Sequence, residues 1–301
     1  MSEHTEVAGV EISKPGKELF PASESGPAVT KLDLARYYES VVEAMLPHLE
    51  GRPVNMQRFP DGITGSSFYE KKVPSHFPDF VRTVEVNTSD GRQRQVVVDD
   101  ARSLVYLAQQ ACITPHTWLS RADDLDRPDH LVYDLDPSVP GLPAVRRATR
   151  LVGELLDDLG LVSVVKTTGS RGYHVMVPLP QEWGFDEVRD FARDAARVLV
   201  DREPDLLTLE ARKSKRGDRV LVDVQRNGYG QTAVPPYAVR ARPGAPVSTP
   251  ITWGELGRIE PDQHTVRTIG RRLSRGGDRW ADLPRGQSLG RAREKLRRLS
   301  T

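Results

Sequence analysis

Residues 131–137 read Leu131-Val132-Tyr133-Asp134-Leu135-Asp136-Pro137, and the rest of the chain is best read outward from them. The apolar run predicts a buried strand over 131–135. In a strand, positions i and i+2 point to one face, with Cα atoms roughly 6–7 Å apart. Asp134 and Asp136 would then present two carboxylates side by side at the end of a hydrophobic segment. Such like charges repel unless a cation sits between them. Hard oxygen ligands favour Mg2+ or Mn2+, and a two-metal phosphoryl-transfer site holds its ions about 3.5–4 Å apart. The competing reading is a loop in which Asp-Pro merely starts a turn.

A third carboxylate shifts the balance. Val220-Leu221-Val222-Asp223-Val224 sets Asp223 inside another apolar strand, where an unpaired carboxylate is costly. Arg212 or Arg226 could satisfy it structurally; with Asp134 and Asp136 it completes a triad suited to two-metal nucleotidyl transfer. Between these strands lies Thr167-Thr168-Gly169-Ser170-Arg171-Gly172-Tyr173-His174, a strand–turn–strand joint. Glycines let backbone N–H groups approach phosphate oxygens, and Ser170 and Arg171 add a neutral and a charged donor. Many hairpins share this composition, and an isolated His174 reads more often as a satisfied core histidine. The run 212–219, with Lys213, Lys215, Arg216 and Arg219, is either a solvated hairpin or a cationic wall facing triphosphate or template.

Further out, the segment 1–29 is rich in Pro, Ser, Gly and charge and reads as a loop or arm. Thr30 offers an N-cap to a helix whose apolar positions run from Leu34 to Leu46, ended by Pro47 and Gly51. Strands are predicted over 54–59, 81–86 and 95–98, and a helix capped by Asp99 or Asp100 runs through Ala111. The second half alternates strands over 161–166, 173–177 and 220–224 with helices over 142–159 and 186–200. This mixture implies an α+β fold, two β-sheet lobes flanked by helices around a central catalytic cleft. From residue 267 the chain is basic, with Arg271, Arg272, Arg275, Arg279, Arg285, Arg291, Arg293, Lys295, Arg297 and Arg298 forming either a solvated face or a DNA- or partner-binding tail.

Bulk properties exclude several classes. The 301 residues carry 43 basic and 42 acidic side chains, so net charge does not announce nucleic acid and its placement must be read instead. The single Cys112 excludes an intrachain disulfide and a Cys-rich zinc site. The first twenty residues, with Glu3, Glu6, Glu11, Lys14 and Lys17, lack a signal-like apolar core, and no apolar run nears the roughly 18 residues of a membrane span. The expectation is a soluble cytoplasmic protein with no membrane partner.

The order Asp-x-Asp on a strand, Gly-Ser turn with His, and Asp on a later strand resembles the three-motif layout of archaeo-eukaryotic primases. The closer resemblance is to the polymerase domain of the bacterial end-joining ligase D, in a stand-alone form. It is carried by Lys17-Glu18-Leu19-Phe20-Pro21, Arg58-Phe59-Pro60-Asp61-Gly62, Phe68-Tyr69-Glu70-Lys71 and residues 131–137. Gly169 to His174, Asp223 followed by Asn227, and Pro236-Tyr237-Ala238-Val239-Arg240 add to it, so the match spans roughly residues 10–275.

This resemblance implies a nucleotidyltransferase using two Mn2+ or Mg2+ ions on Asp134, Asp136 and Asp223. Ser170, Arg171, Gly172, His174 and Arg240 would hold the incoming NTP or dNTP, and His116 would approach its sugar. Lys17 and Lys31 would grip a 5′-phosphate downstream of a gap or break. Phe68 would stack on a template base, with Lys71, Lys215 and Arg216 also on DNA. Arg171 stands where the family usually has lysine, keeping charge but not phosphate geometry. The implied layout is an arm over 1–29 with a 5′-phosphate-binding lysine, a primase-polymerase catalytic domain over 30–275, and a basic extension over 276–301. Implied partners are DNA with gaps, overhangs or double-strand breaks, the end-binding protein Ku and a separate ATP-dependent ligase. The chain is expected to act as a nucleoid-associated monomer. The family leans to ribonucleotides.

Ligation itself is not expected: the adenylated Lys-x-Asp-Gly motif is lacking, its nearest match being Phe59-Pro60-Asp61-Gly62. A polymerase of the β type would place its Gly-Ser turn before the Asp-x-Asp, and a glycosidase explains neither Arg171 nor the basic run. A de novo primase and a non-catalytic DNA-end adaptor remain the alternatives.

Overall fold

A computed structural model describes residues 5–24, 26–88, 91–283 and 286–299. Glu3 and Arg285 of the sequence reading lie outside the described residues. The fold is mixed α+β, and the chain divides into two compact units built from discontinuous segments.

The first unit comprises Met1–Trp118, Thr232–Ser248 and Asp262–Asp278. Its six-stranded sheet runs Thr232–Ala233, Cys112–Trp118, Pro53–Arg58, Gly91–Val97, Thr83–Thr88, with Phe68–Glu70 also paired to Pro53–Arg58. Helix Lys31–Leu49 starts at the expected cap: the Thr30 hydroxyl accepts from Asp33 N–H, and the Asp33 carboxylate accepts from Thr30 N–H. It runs through Pro47, because the lost N–H bond falls in the last turn, which Glu50 N–H closes onto Leu46. Asp100 caps Ala101–Gln109, while Asp99 instead accepts from Gly51 N–H and pairs with Arg82. The segment expected to be a loop or arm contributes Val7, Val10, Ile12, Leu19 and Phe20 to this unit's buried core.

The fully buried strand Cys112–Trp118 was not expected from sequence, since Pro115 interrupts its pattern. Pro115 is tolerated because the flanking strand Thr232–Ala233 pairs only with Thr117 and Trp118.

The second unit comprises Leu119–Gln231, Thr249–Pro261 and Arg279–Thr301. Its six-stranded sheet has the order Leu207–Thr208, Val220–Asp223, His130–Pro137, Tyr173–Pro178, Val164–Thr167, Pro250–Ile251. Only the Leu207–Thr208 pairing is parallel. Helices Leu142–Asp158 and Phe185–Arg202 bury apolar stripes in this unit's core. Helix Gly290–Leu299, part of the basic extension, adds Ala292 and Leu296 to that core. Its Lys295 donates to the Asp158 carbonyl, and Arg293 lies over the Trp183 ring, so part of the tail's charge is spent within this unit.

Candidate active site

Strand geometry brings the three aspartates of the second unit onto one sheet face. Asp134 and Asp136 are two apart on His130–Pro137, and Asp223 is the direct Cα partner of Asp134 on the next antiparallel strand. On the other side Asp134 pairs with His174, which pairs in turn with Lys166. A polar row, Lys166–His174–Asp134–Asp223, thus crosses four strands of an otherwise apolar sheet. Lys166 is 2% exposed. The sequence reading missed it; its only signal was a lysine inside the apolar run 164–167.

Each acid has its own electrostatic setting. Burial alone would raise Asp134, but His174, Arg226 and Lys166 outweigh it and hold the carboxyl well below the usual carboxylate range. Burial pushes His174 down to about 4, with Lys166 adding to the effect against the opposing pull of Asp134. The imidazole is therefore neutral at neutral pH, and the lasting counter-charges of Asp134 are Lys166 and Arg226, whose Nε lies 3.4 Å from it. His174 Nε2 lies 3.4 Å from Asp134 Oδ1, and its buried Nδ1 has no hydrogen-bond partner among the described residues. Burial raises Asp223, and the Asp134 charge adds to that rise against a hydrogen bond from Gln225 N–H. Of its two candidate structural partners, Arg226 acts on Asp223, lowering it together with Arg216 against the stronger effect of burial.

Asp136 accepts from Arg171 at 3.2 Å and from Arg216 at 3.1 Å. Arg216 is buried, and it also donates to the carbonyls of Glu210 and Ala211. These donors are directed into the fold, which a run of charges in sequence does not reveal. Lys215, in the turn Lys213–Lys215, is exposed as expected.

The donor set fits a hard divalent cation. Asp134 and Asp223 face each other, and Asp223, raised by burial and further by the Asp134 charge, is a carboxyl whose ionised form such an ion would favour. Asp134, Asp136 and Asp223 are the residues that would hold it. Among the described residues no three acidic, His or Cys side chains are already gathered at coordinating distances, and Asp136 is engaged by Arg171 and Arg216. Ligation by Asp136 would exchange a guanidinium for the ion.

The turn joining Val164–Thr167 to Tyr173–Pro178 is built by close approach. A Cβ on Gly172 would lie 1.9 Å from the Leu135 carbonyl oxygen, so only glycine lets the turn sit against the Asp134–Asp136 backbone. The Thr168 hydroxyl closes the turn onto the Gly172 carbonyl. Gly172 thus has a packing reason of its own, independent of any nucleotide. Ser170 and Arg171 lie at the tip of this turn, with the Arg171 side chain 44% exposed.

The remaining candidates belong to the first unit. His116 is buried on Cys112–Trp118, with Nε2 3.3 Å from Gln57 Oε1 and its ring edge-on to Tyr69 at 5.4 Å. Phe68 is 45% exposed under the Arg58 guanidinium, so it is not an ordinary core ring. Lys71, just beyond Phe68–Glu70, is exposed. Arg240 follows the positive-φ Tyr237 and donates its N–H to the Pro246 carbonyl. Lys31 is buried with Nζ 3.3 Å from Ser13 Oγ, and Lys17 pairs with Asp61 at 3.0 Å. Burial lowers Lys31, as do Lys17 and Lys14. Lys14 thus joins a three-lysine cluster in which the sequence reading had named two.

A family model described as LigD, primase-polymerase domain, matches residues 30–280. The chain belongs to that family. This LigD-type chain is 36% identical over 281 residues to the multifunctional non-homologous end joining protein LigD of Pseudomonas aeruginosa, covering 91% of this chain and 33% of that protein. It is 32% identical over 297 residues to the multifunctional non-homologous end joining DNA repair protein LigD of Mycobacterium tuberculosis, covering 94% of this chain and 39% of that one. It thus spans between a third and two-fifths of these relatives' lengths. Its fold is similar to the solved polymerase domain from Mycobacterium tuberculosis ligase D in complex with DNA. The TM-score is 0.83 at 31% identity, over 91% of this chain and 99% of that one. No helix of this LigD-type chain is long and apolar enough to cross a membrane, among the described residues.

Proposed function

We propose that this LigD-type chain is a metal-dependent nucleotidyltransferase that adds NTP or dNTP to DNA 3′ ends at gaps, overhangs and double-strand breaks, in templated and terminal modes. The observation that carries this reading is the facing pair Asp134 and Asp223, with Asp136 on the same sheet face. Two Mn2+ or Mg2+ ions bound there would favour the 3′-hydroxyl as nucleophile and offset charge on the leaving pyrophosphate.

The chain's own residues supply the positioning. Ser170, Arg171, His174 and Arg240 receive the triphosphate, and His116 the sugar. Arg171 is suited to this because its contact to Asp136 is exposed and exchangeable for phosphate oxygens. Lys17 and Lys31, with Lys14, hold a downstream 5′-phosphate, since an anion offsets the mutual repulsion of the three lysines that helps to lower Lys31. Phe68 stacks on a template base, and Lys71 and Lys215 contact the DNA backbone. The setting is end-joining repair in the nucleoid, as a monomer beside Ku and a separate ATP-dependent ligase.

The deciding experiment follows incorporation of a labelled nucleotide into gapped DNA with Mn2+, with Mg2+ and with chelator. Addition that needs metal and disappears in Asp134→Ala supports the reading. DNA binding without addition in either metal would leave a DNA-end adaptor instead.

A further inference from the structure

We propose that Asn227 is a positioning residue whose carboxamide locks the register of the two carboxylate-bearing strands and so sets the placement of Asp134 against Asp223. The proposal rests on those residues acting as metal ligands. Strand His130–Pro137 is paired along most of its length with Tyr173–Pro178, from His130 to Leu135. On its other edge Val220–Asp223 covers only Asp134 to Pro137. The chain then turns into the short helical segment Gln225–Asn227, leaving the edge at Val132 with no strand beside it.

Val132, Asp134 and Asp136 share one parity, so their N–H and C=O groups are aimed at the same neighbour. By continuation of the register, Val132 should meet residue 225; the Asn227 side chain meets it instead. Its Oδ1 accepts from Val132 N–H at 2.8 Å, and its Nδ2 donates to the carbonyls of Val132 and Val224 at 2.8 and 2.9 Å. The carboxamide thereby acts as one more residue of the missing strand, with both ends satisfied. Asn227 is 0% exposed, so no water can substitute for these bonds. Val132 lies two residues before Asp134, Val224 directly follows Asp223, and the clamp therefore grips both acid strands beside the pair they must align.

The test measures Mn2+ itself as the probe, by calorimetry on the whole chain, together with the Mn2+ dependence of nucleotide addition. Asn227→Ala should weaken Mn2+ binding about tenfold or more, the usual effect of removing a support behind a metal ligand. It should raise the KM for Mn2+ more than it changes the KM for nucleotide. Asn227→Asp keeps the acceptor for Val132 N–H but loses both donations, and should weaken Mn2+ binding likewise. Thr149→Val removes another fully buried bond of the same unit, Thr149 Oγ1 to the Val145 carbonyl, and should leave Mn2+ affinity unchanged.

Mn2+ affinities of both Asn227 variants within twofold of wild type, or an equal loss in Thr149→Val, would overturn the proposal. If the variants do not fold, hydrogen exchange on the wild type decides. Mn2+ should slow exchange of the Val132 amide several-fold, and an unchanged rate counts against the clamp. Failure of the underlying metal reading looks different, since Asp134→Ala would then retain Mn2+ binding.

Discussion

Asp134 and Asp223 stand opposite each other as Cα partners on adjacent strands, yet the fold drives their carboxyls in opposite directions. Despite its burial Asp134 is held low by cationic neighbours, whereas Asp223 is raised by burial and by Asp134 itself. The lowered group stabilises the fold above its unfolded pKa, and that stability is lost as pH falls through the folded value. The raised group contributes stability below its unfolded pKa, lost as pH rises through its folded value. At neutral pH the metal-free protein therefore gains from an ionised Asp134 and loses from an ionised Asp223.

Opposite melting shifts follow for the two isosteric variants. Asp223→Asn should leave the metal-free melting temperature equal or raise it by up to about 2–4 °C, the equivalent of ~1 kcal/mol, while abolishing the rise produced by Mn2+. Asp134→Asn should destabilise the metal-free protein by ~3 kcal/mol, because it breaks a largely buried charge pairing. Thermal melts at neutral pH with and without Mn2+ check both, and a strongly destabilised yet active Asp223→Asn would refute its ligand role.

Asp134→Ala and Asp136→Ala should each reduce nucleotide addition by about 10³-fold or more, since a lost metal ligand forfeits several kcal/mol of transition-state stabilisation. Single-turnover extension in saturating Mn2+ is the measurement, and near-normal rates in either variant would exclude that residue.

Gapped DNA with a downstream 5′-phosphate should bind roughly tenfold tighter than the same gap without it, reflecting charge-assisted contacts worth about 1.5 kcal/mol or more. The preference should vanish in the Lys17→Ala/Lys31→Ala double variant at fixed salt. Equal wild-type affinities for the two gaps would remove the phosphate site from consideration.

Gly172→Ala should lower stability by ~1–3 kcal/mol and slow nucleotide addition, because the new Cβ meets the Leu135 carbonyl oxygen and must displace the strand between two acids. Melting and extension assays on the same preparation test this; unchanged values would mean the turn relaxes freely.

Lys215 and Arg216 should separate cleanly. Lys215→Gln weakens DNA binding and flattens its salt dependence by about one unit. Arg216→Gln leaves that slope unchanged but destabilises the protein, since the Glu210 and Ala211 carbonyls lose their donor. Fluorescence anisotropy across a salt series, with melts, distinguishes the two.

The acids were legible because a strand's two-residue period fixes the face of Asp134 and Asp136 once the apolar run is recognised. Asp223 was legible for the same reason, as a charge set in hydrophobic sequence. The Cys112–Trp118 strand was not, since Pro115 suppresses the pattern and only the neighbouring strand's shortness excuses it. Nor could sequence separate Lys215 from Arg216, one residue apart and alike in charge, because burial is decided by where the turn docks. Lys166 escaped because its partner His174 comes from a different strand, and cross-strand register is a tertiary property.

The row Lys166–His174–Asp134–Asp223 draws one residue from each of four strands. A slip of one residue in any of them would turn its polar member onto the opposite face and leave a polar or ionic group stranded in hydrocarbon. The polar groups of this row therefore also proofread the folding of the sheet that carries them. A chain that pairs its strands wrongly is penalised before it can be mistaken for the native fold.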